Sequence, residues 1–239
     1  MRAEYLTSVA AVALLSIGAA SAADLPVKAL PPAAPVFSWT GFYVGANIGG
    51  VRADNSSQEI GPNFWFDFPA HPVYGASATG AIGGIQAGYN WQFRQLVLGV
   101  EGDLSLASAD ATTPHVTSFN TGLAQTASLT GLATLRGRAG FALDNALIYL
   151  TAGVATGRIH DRVIEPGQPN IVFDTSGWRT GWTAGGGVEY AVAKNWTVKA
   201  EALYVDFGNT DAPMLVDNTY RFRFKDTATI GRVGFNFKF

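Results

Sequence analysis

The sequence predicts an all-β fold, an eight-stranded antiparallel up-and-down transmembrane β-barrel, and three observations lead there. Eight stretches alternate apolar and polar side chains with period two. The gaps between them are alternately long and short. The chain closes on a strand in which Val233, Phe235, Phe237 and Phe239 share one face. Tight turns at one end of the strands and long connections at the other are the pattern of a barrel that crosses an outer membrane.

The composition agrees. A chain of 239 residues suits one ordinary domain or one small barrel. Hydrophobic residues make up 48% and charged residues only 14%, against about 25% charged in domains dissolved in water. Much of the surface therefore meets something less polar than water. The 28 glycines, with 15 Phe, 8 Tyr and 6 Trp, favour short aromatic strands over helices. A net charge of −2 without a long basic run argues against a nucleic-acid partner. The absence of cysteine excludes a disulfide, a thiolate metal site and a cysteine nucleophile.

Residues 1–22 read as a secretory signal. Arg2 precedes an apolar stretch from Val9 to Ala20, and Ala20-Ser21-Ala22 forms an A-x-A cleavage site. The apolar stretch is about half of the roughly 20 residues that a membrane helix needs, and no later segment has 18 unbroken apolar residues. If the mature chain crosses a bilayer it does so with strands, the other structure that satisfies every backbone group in lipid. Residues 23–40, with Pro26, Pro31, Pro32 and Pro35, read as an extended periplasmic leader. Residues 41–239 form the barrel domain.

The expected strands are 41–51, 79–92, 95–106, 128–142, 146–158, 179–192, 196–208 and 226–239. Phe93-Arg94, Asp144-Asn145 and Ala193-Lys194-Asn195 make the tight turns. Long polar segments make the other four connections. Side chains alternate across a strand, so each stretch can be divided into two faces. In the third strand Leu96, Leu98, Val100, Gly102 and Leu104 oppose Gln95, Val97, Gly99, Glu101, Asp103 and Ser105. In the fourth, Leu129, Ala133, Leu135, Ala139 and Phe141 oppose Thr130, Thr134, Arg136 and Arg138. In the sixth, Trp182, Ala184, Val188, Tyr190 and Val192 oppose Thr183 and Glu189. In the seventh, Trp196, Val198, Ala200, Ala202 and Tyr204 oppose Thr197, Lys199 and Glu201. The fifth strand is ambiguous.

A soluble sandwich alternates too, with its polar face in water. The placement of ions and rings distinguishes the two. Charges gather on one face, while Phe42, Tyr89, Trp91, Phe141, Tyr190, Trp196, Tyr204 and Phe239 lie near strand ends, as interfacial aromatic belts do. The last strand, with Phe235, Phe237 and Phe239, resembles the sorting signal that barrel-assembly machinery recognises.

On the enclosed face the candidate site is an ion-pair network of Glu101, Asp103, Glu189 and Glu201 with Arg136, Arg138, Lys199 and Arg232. An eight-stranded barrel is just wide enough inside for side chains to fill it, and charges persist there only when paired and hydrogen-bonded. The network thus reads as a plug that closes the barrel; a conducting channel is the second reading. Balanced cations also make structure a better account of these carboxylates than acid–base catalysis.

Several motifs together resemble the small outer-membrane β-barrel surface proteins of alphaproteobacteria, which are similar in fold to the OmpA transmembrane domain. They are Ala23-Asp24-Leu25-Pro26, Trp39-Thr40-Gly41-Phe42-Tyr43-Val44-Gly45, Gly84-Ile85-Gln86-Ala87-Gly88-Tyr89-Asn90-Trp91-Gln92 and Gly185-Gly186-Gly187-Val188-Glu189-Tyr190. The resemblance covers nearly all of the mature chain. It implies an outer-membrane location and a structural, surface-antigen or porin-like role, and haem binding has been attributed to some members. The expected partners are outer-membrane lipids and lipopolysaccharide, the barrel-assembly machinery, and periplasmic or cell-wall components.

Other chemistry has weaker support. Phe64, Trp65, Phe66, Phe68 and Tyr74 surround His71 in the first long connection, a density of aromatics that marks a contact site or a packed loop. Its sharp form is a haem bound through His71. His115 and His160 also fall in expected long loops, but no metal-ligand spacing joins the three histidines, and no metal or other cofactor is expected. His160 is the only plausible base for an enzyme acting on lipid A. No G-x-S-x-G elbow accompanies it.

Overall fold

Pairing each alternating segment with its sequence neighbour gives the observed architecture. The computed structural model describes residues 37–60, 73–116, 122–165, 167–215, 217 and 219–239. The expected signal peptide and most of the leader lie outside them. The strands are β1 (Gly41–Ile60), β2 (Val73–Phe93), β3 (Leu96–Val116), β4 (Gly122–Leu143), β5 (Ala146–Glu165), β6 (Gln168–Ala193), β7 (Trp196–Pro213) and β8 (Arg221–Lys238). Each is antiparallel to the next, and β1 closes the ring on β8, with Val44 opposite Phe237 and Ile48 opposite Val233.

The two-residue turns Arg94-Gln95, Asp144-Asn145 and Lys194-Asn195 join strands at one end. Arg94 and Asp144 take φ of 58° and 50°, a left-handed conformation that Asp accepts more readily than most side chains. The first turn is thus Arg94-Gln95 rather than Phe93-Arg94. Asn195 ties the third turn to the chain end: its Nδ2 donates to the Lys238 carbonyl at 2.7 Å, and its own carbonyl accepts from Lys238 N at 2.7 Å.

The strands differ from expectation in length. Much of what reads as long polar loop is strand, and β1 runs on to Ile60. Alternation fades beyond Val51 because Arg52 and Asp54 project outward while Asn55, Ser57 and Glu59 project inward. Both faces are polar there, yet the ladder continues because it depends on backbone groups alone. β4 departs in register. A bulge between Leu129 and Gly131 swaps the faces above it, so Leu129 is buried, against the expectation that it meets lipid, and Thr130 is exposed. β5 reads ambiguously because Leu147, Tyr149 and Ile159 face inward while Ile148, Leu150 and Val154 face outward. Both of its faces are apolar.

The interior is filled in layers. At the turn end Trp39, Val97, Ala142, Leu147 and Tyr149 form an apolar floor, and Trp39 N donates to Gln92 Oε1 at 2.7 Å. The eight charged residues come next along their strands. Above them Val51, Ile82, Leu129, Leu132, Ile159, Leu203, Phe207 and Ile230 belong to a second apolar layer. Asn55, Gln125, Asp161, Arg179 and Asp226 make a second polar layer. Tyr74, Phe173, Met214, Phe222 and Phe224 close the far end.

The outer face carries the opposite sign of polarity. Ile48, Ile85, Leu104, Leu106, Leu135 and Leu150 are each more than 60% exposed, an apolar area that a protein surrounded by water rarely shows. Rings bound this band below, where Trp196 stacks on Phe235 at 4.7 Å and Phe42 meets Phe239 at 5.6 Å. Above, Trp182 meets Tyr204 at 5.6 Å. From Trp196 to Tyr204, at about 3.3 Å per residue and a tilt near 40°, the rise is roughly 20 Å, close to the ~25 Å apolar height of outer-membrane barrels. Above it outward positions become charged: Arg52, Asp54, Arg162, Asp174, Arg223 and Lys225.

Small residues permit the close packing. An ideal Cβ on Gly153 would lie 2.1 Å from the Leu135 carbonyl oxygen, whereas one on Gly102 would meet nothing nearer than 3.7 Å. Gly153→Ala should cost about 1–3 kcal/mol in urea unfolding from lipid vesicles. Gly102→Ala should change stability by less than about 1 kcal/mol.

Candidate functional site

Register brings the charges together. Glu101 on β3 lies opposite Arg136 on β4, Glu189 on β6 opposite Lys199 on β7, and Glu201 on β7 opposite Arg232 on β8. All eight predicted residues are buried inside one enclosure. Because the lumen is narrow, their tips also reach across it.

Arg136 is the hub. Its Nη2 donates to Glu101 Oε1 at 2.5 Å and to Asp103 Oδ2 at 3.1 Å, its Nη1 to Glu201 Oε1 at 3.0 Å, and its Nε to the Thr134 hydroxyl at 2.9 Å. Three carboxylates on two strands thus converge on one fork of donors, the geometry that only a guanidinium offers. Lys199 Nζ donates to both oxygens of Glu101, at 2.8 and 2.9 Å. Arg232 joins Glu201, through Nε at 2.9 Å, to Asp103, through Nη1 at 3.1 Å.

Arg138 serves the lower edge. Its Nη2 donates to Glu189 Oε2 at 2.7 Å, and its guanidinium lies over the Tyr149 ring, 4.1 Å from the centroid. The Tyr43 hydroxyl donates to Glu101 Oε2 at 2.7 Å and accepts from Arg138 Nη1 at 3.1 Å. The Tyr149 hydroxyl donates to Glu201 Oε1 at 3.0 Å. Glu189 Oε1 also accepts from the Thr197 hydroxyl at 2.5 Å and from Asn236 Nδ2 at 2.9 Å. Gln86 and Asn47 extend the network from Asn236 toward β1.

Four carboxylates and four cations sum to no net charge. Each carboxylate is held by at least one cation, so none is left as a free base. Buried charge is tolerable here because both Coulomb attraction and hydrogen bonding are supplied. The sequence places Thr134, Thr197 and Asn236 on the charged face without marking them as partners, and Tyr43, Tyr149, Gln86 and Asn47 were missed altogether. Strand parity was their only signal, and for Tyr149 it lay on the ambiguous strand.

The other candidates sit elsewhere. Phe64, Trp65, Phe66, Phe68 and His71 lie outside the described residues. Tyr74, expected in the loop, is instead buried on β2, where its ring meets His115 at 5.4 Å; the alternation Tyr74, Ala76, Ala78 turns it inward. His115 and His160, also expected in loops, belong to β3 and β5. His160 faces outward with Nε2 3.3 Å from Asp174 Oδ1. Ser128 and Ser176 flank it in register, yet among the described residues no serine hydroxyl is hydrogen-bonded to it. The described residues also contain no cluster of three or more His, Asp or Glu suited to a metal. Phe235 and Phe239 are exposed on the outer face, and Phe237 packs edge-on against Phe239 at 5.1 Å.

Comparison with known proteins gives the same architecture. The model of the outer membrane protein beta-barrel domain matches residues 9–239. The chain is 36% identical over 256 residues to the 31 kDa outer-membrane immunogenic protein of Brucella melitensis, spanning 100% of both chains. It is 30% identical over 189 residues to a 22 kDa outer membrane protein of Rhizobium leguminosarum, covering 75% of this chain and 70% of that one. The crystal structure of the outer membrane protein OprG from Pseudomonas aeruginosa superposes with a TM-score of 0.51 at 14% identity, over 85% of this chain and 99% of that one; that likeness concerns the fold alone.

Arg136→Ala would leave Glu101, Asp103 and Glu201 without their shared cation. It should cost about 3–5 kcal/mol, measured by tryptophan fluorescence during urea unfolding from vesicles.

Proposed function

The chain belongs to the outer membrane protein beta-barrel family and resides in the bacterial outer membrane, and on that footing we propose that it is a closed structural barrel rather than a porin or an enzyme. The observation that carries this reading is the charge-balanced layer around Arg136, whose ion pairs cross the lumen from β4 to β3 and β7 and which lies between two apolar layers. A channel needs a continuous wet path. Here water would have to displace buried ion pairs and then pass the packed floor at Trp39.

The surface role rests on the extracellular ends of the strands, which carry the outward charges Arg52, Asp54, Arg162, Asp174, Arg223 and Lys225 above the apolar band. These ends present polar surface to lipopolysaccharide headgroups and to the medium, while the rings at Trp182 and Tyr204 sit at the interface. Phe235, Phe237 and Phe239 serve recognition by the assembly machinery.

Single-channel recording in planar bilayers tests this. The wild-type protein should give no conductance steps, and the pair Arg136→Ala with Arg138→Ala should admit small ions and unfold at lower urea. Porin-like steps from the wild type, or a double variant indistinguishable from it in both measurements, would refute the closed barrel.

A further inference from the structure

The second polar layer differs from the first in its charge. Asp161 on β5 and Asp226 on β8 are both buried, Asp161 completely. A single amide addresses both: Asn55 Nδ2 donates to Asp161 Oδ1 at 3.0 Å and to Asp226 Oδ1 at 2.6 Å. A single guanidinium bridges the remaining oxygens, with Arg179 Nη2 2.5 Å from Asp161 Oδ2 and Nη1 on Asp226 Oδ2. Gln125 Nε2 donates to the Asn55 carbonyl, and the Ser57 hydroxyl donates to Gln125 Oε1 at 3.1 Å. With Gln125 bonded to its carbonyl, the Asn55 NH2 faces the two acids.

Among the described residues the surroundings offer no second Lys or Arg. Arg179 is the one buried cation above the Ile230 layer among the described residues. From β7 the pair meets Phe207, while Asp206 turns outward to Lys225 Nζ at 4.0 Å. β2 contributes the apolar Ala76 and Ala78 at this height. Toward the mouth, β1 adds Glu59, β5 adds Glu165 and β3 adds His115. The void beside the pair measures about 10 Å³, scarcely room for one water. Two ionised carboxylates against one guanidinium would leave an uncompensated negative charge in a dry interior, and a buried acid avoids that cost by keeping its proton.

We infer that Asp161 and Asp226 form a proton-binding site in the extracellular half of the barrel, sharing one proton that the folded protein retains at neutral pH. The proton belongs to the pair, as in any two carboxyls that share one site. It completes a junction of five strands, β1, β4, β5, β6 and β8. A free aspartate ionises near pH 4, so above that pH the folded state binds a proton that the unfolded chain has lost. Stability of this end is therefore greatest in acid and falls as the pH rises until the pair gives up its proton. The lower layer, already neutral with every carboxylate matched, has no such dependence. This inference is independent of whether the barrel conducts.

The test uses the full chain refolded in lipid vesicles. Infrared spectra at neutral pH should show a protonated-carboxyl C=O band that disappears in alkali. It should also be absent at neutral pH from Asp161→Asn, where Asp226 is left ionised against Arg179, and from Asp226→Asn, which stands in should the first variant not refold. Amide exchange at the ends of β5 and β8 nearest the mouth, corrected for its intrinsic rate, should accelerate toward tenfold per pH unit at its steepest. It should stay flat in the variants. A wild type without the band overturns the proposal, as does a band that survives both substitutions and so belongs to Glu59 or Glu165.

Discussion

Eight strands enclose an interior about wide enough for side chains to fill, and everything inside this barrel follows from that constraint. Whatever points inward must fill the volume and satisfy its own polarity without solvent. The chain does so in layers, apolar where the side chains need no partners and ionic where each charge finds several. Arg136 shows why the ionic layer depends on geometry as much as on charge count. Its planar fork meets carboxylates from β3 and β7 together, while Lys199 attaches to Glu101 alone within 3 Å. Exchanging the two residues would keep the sum of charges and lose the arrangement.

The same strands solve the reverse problem on their outer face. Between the ring clusters at Trp196 and at Trp182 the outward residues are aliphatic or small, and beyond Tyr204 they become charged. The barrel is taller than the bilayer it crosses. Above the apolar band its interior stays buried while its exterior is polar and charged. The two ionic layers therefore sit in different settings: the balanced one at membrane height and the unbalanced one above it.

Where one face meets lipid and the other meets ions, the sequence is readable. Glu101, Asp103, Arg136, Arg138, Glu189, Lys199, Glu201 and Arg232 can be assigned by parity alone, because one contrast of polarity labels both faces. The contrast fails in three places for distinct reasons. Along Leu147–Ile159 both faces are apolar, since the inner one belongs to the floor and the second core. Beyond Val51 both are polar, so the extension of β1 looks like loop. At Leu129 a bulge shifts the parity by one, and a bulge leaves no mark in composition. The Asp161–Asp226 pair was hidden by the second of these, although Arg179 and Asp226 already carried inward parity on their strands. Pairing across the lumen, such as Lys199 with Glu101, depends on barrel diameter and tilt, which no local pattern encodes.

The central claim is that the Arg136 layer is dry and that each of its charges has an ion-pair partner. Water-edited solid-state NMR of arginine-labelled protein in lipid bilayers measures this directly. The guanidinium signals of Arg136, Arg138 and Arg232 should gain magnetisation from water slowly and correlate with carboxylate carbons, while exposed Arg52 gains it quickly. Equally rapid transfer to Arg136 and Arg52 would mean that water threads the barrel, and the account would fail.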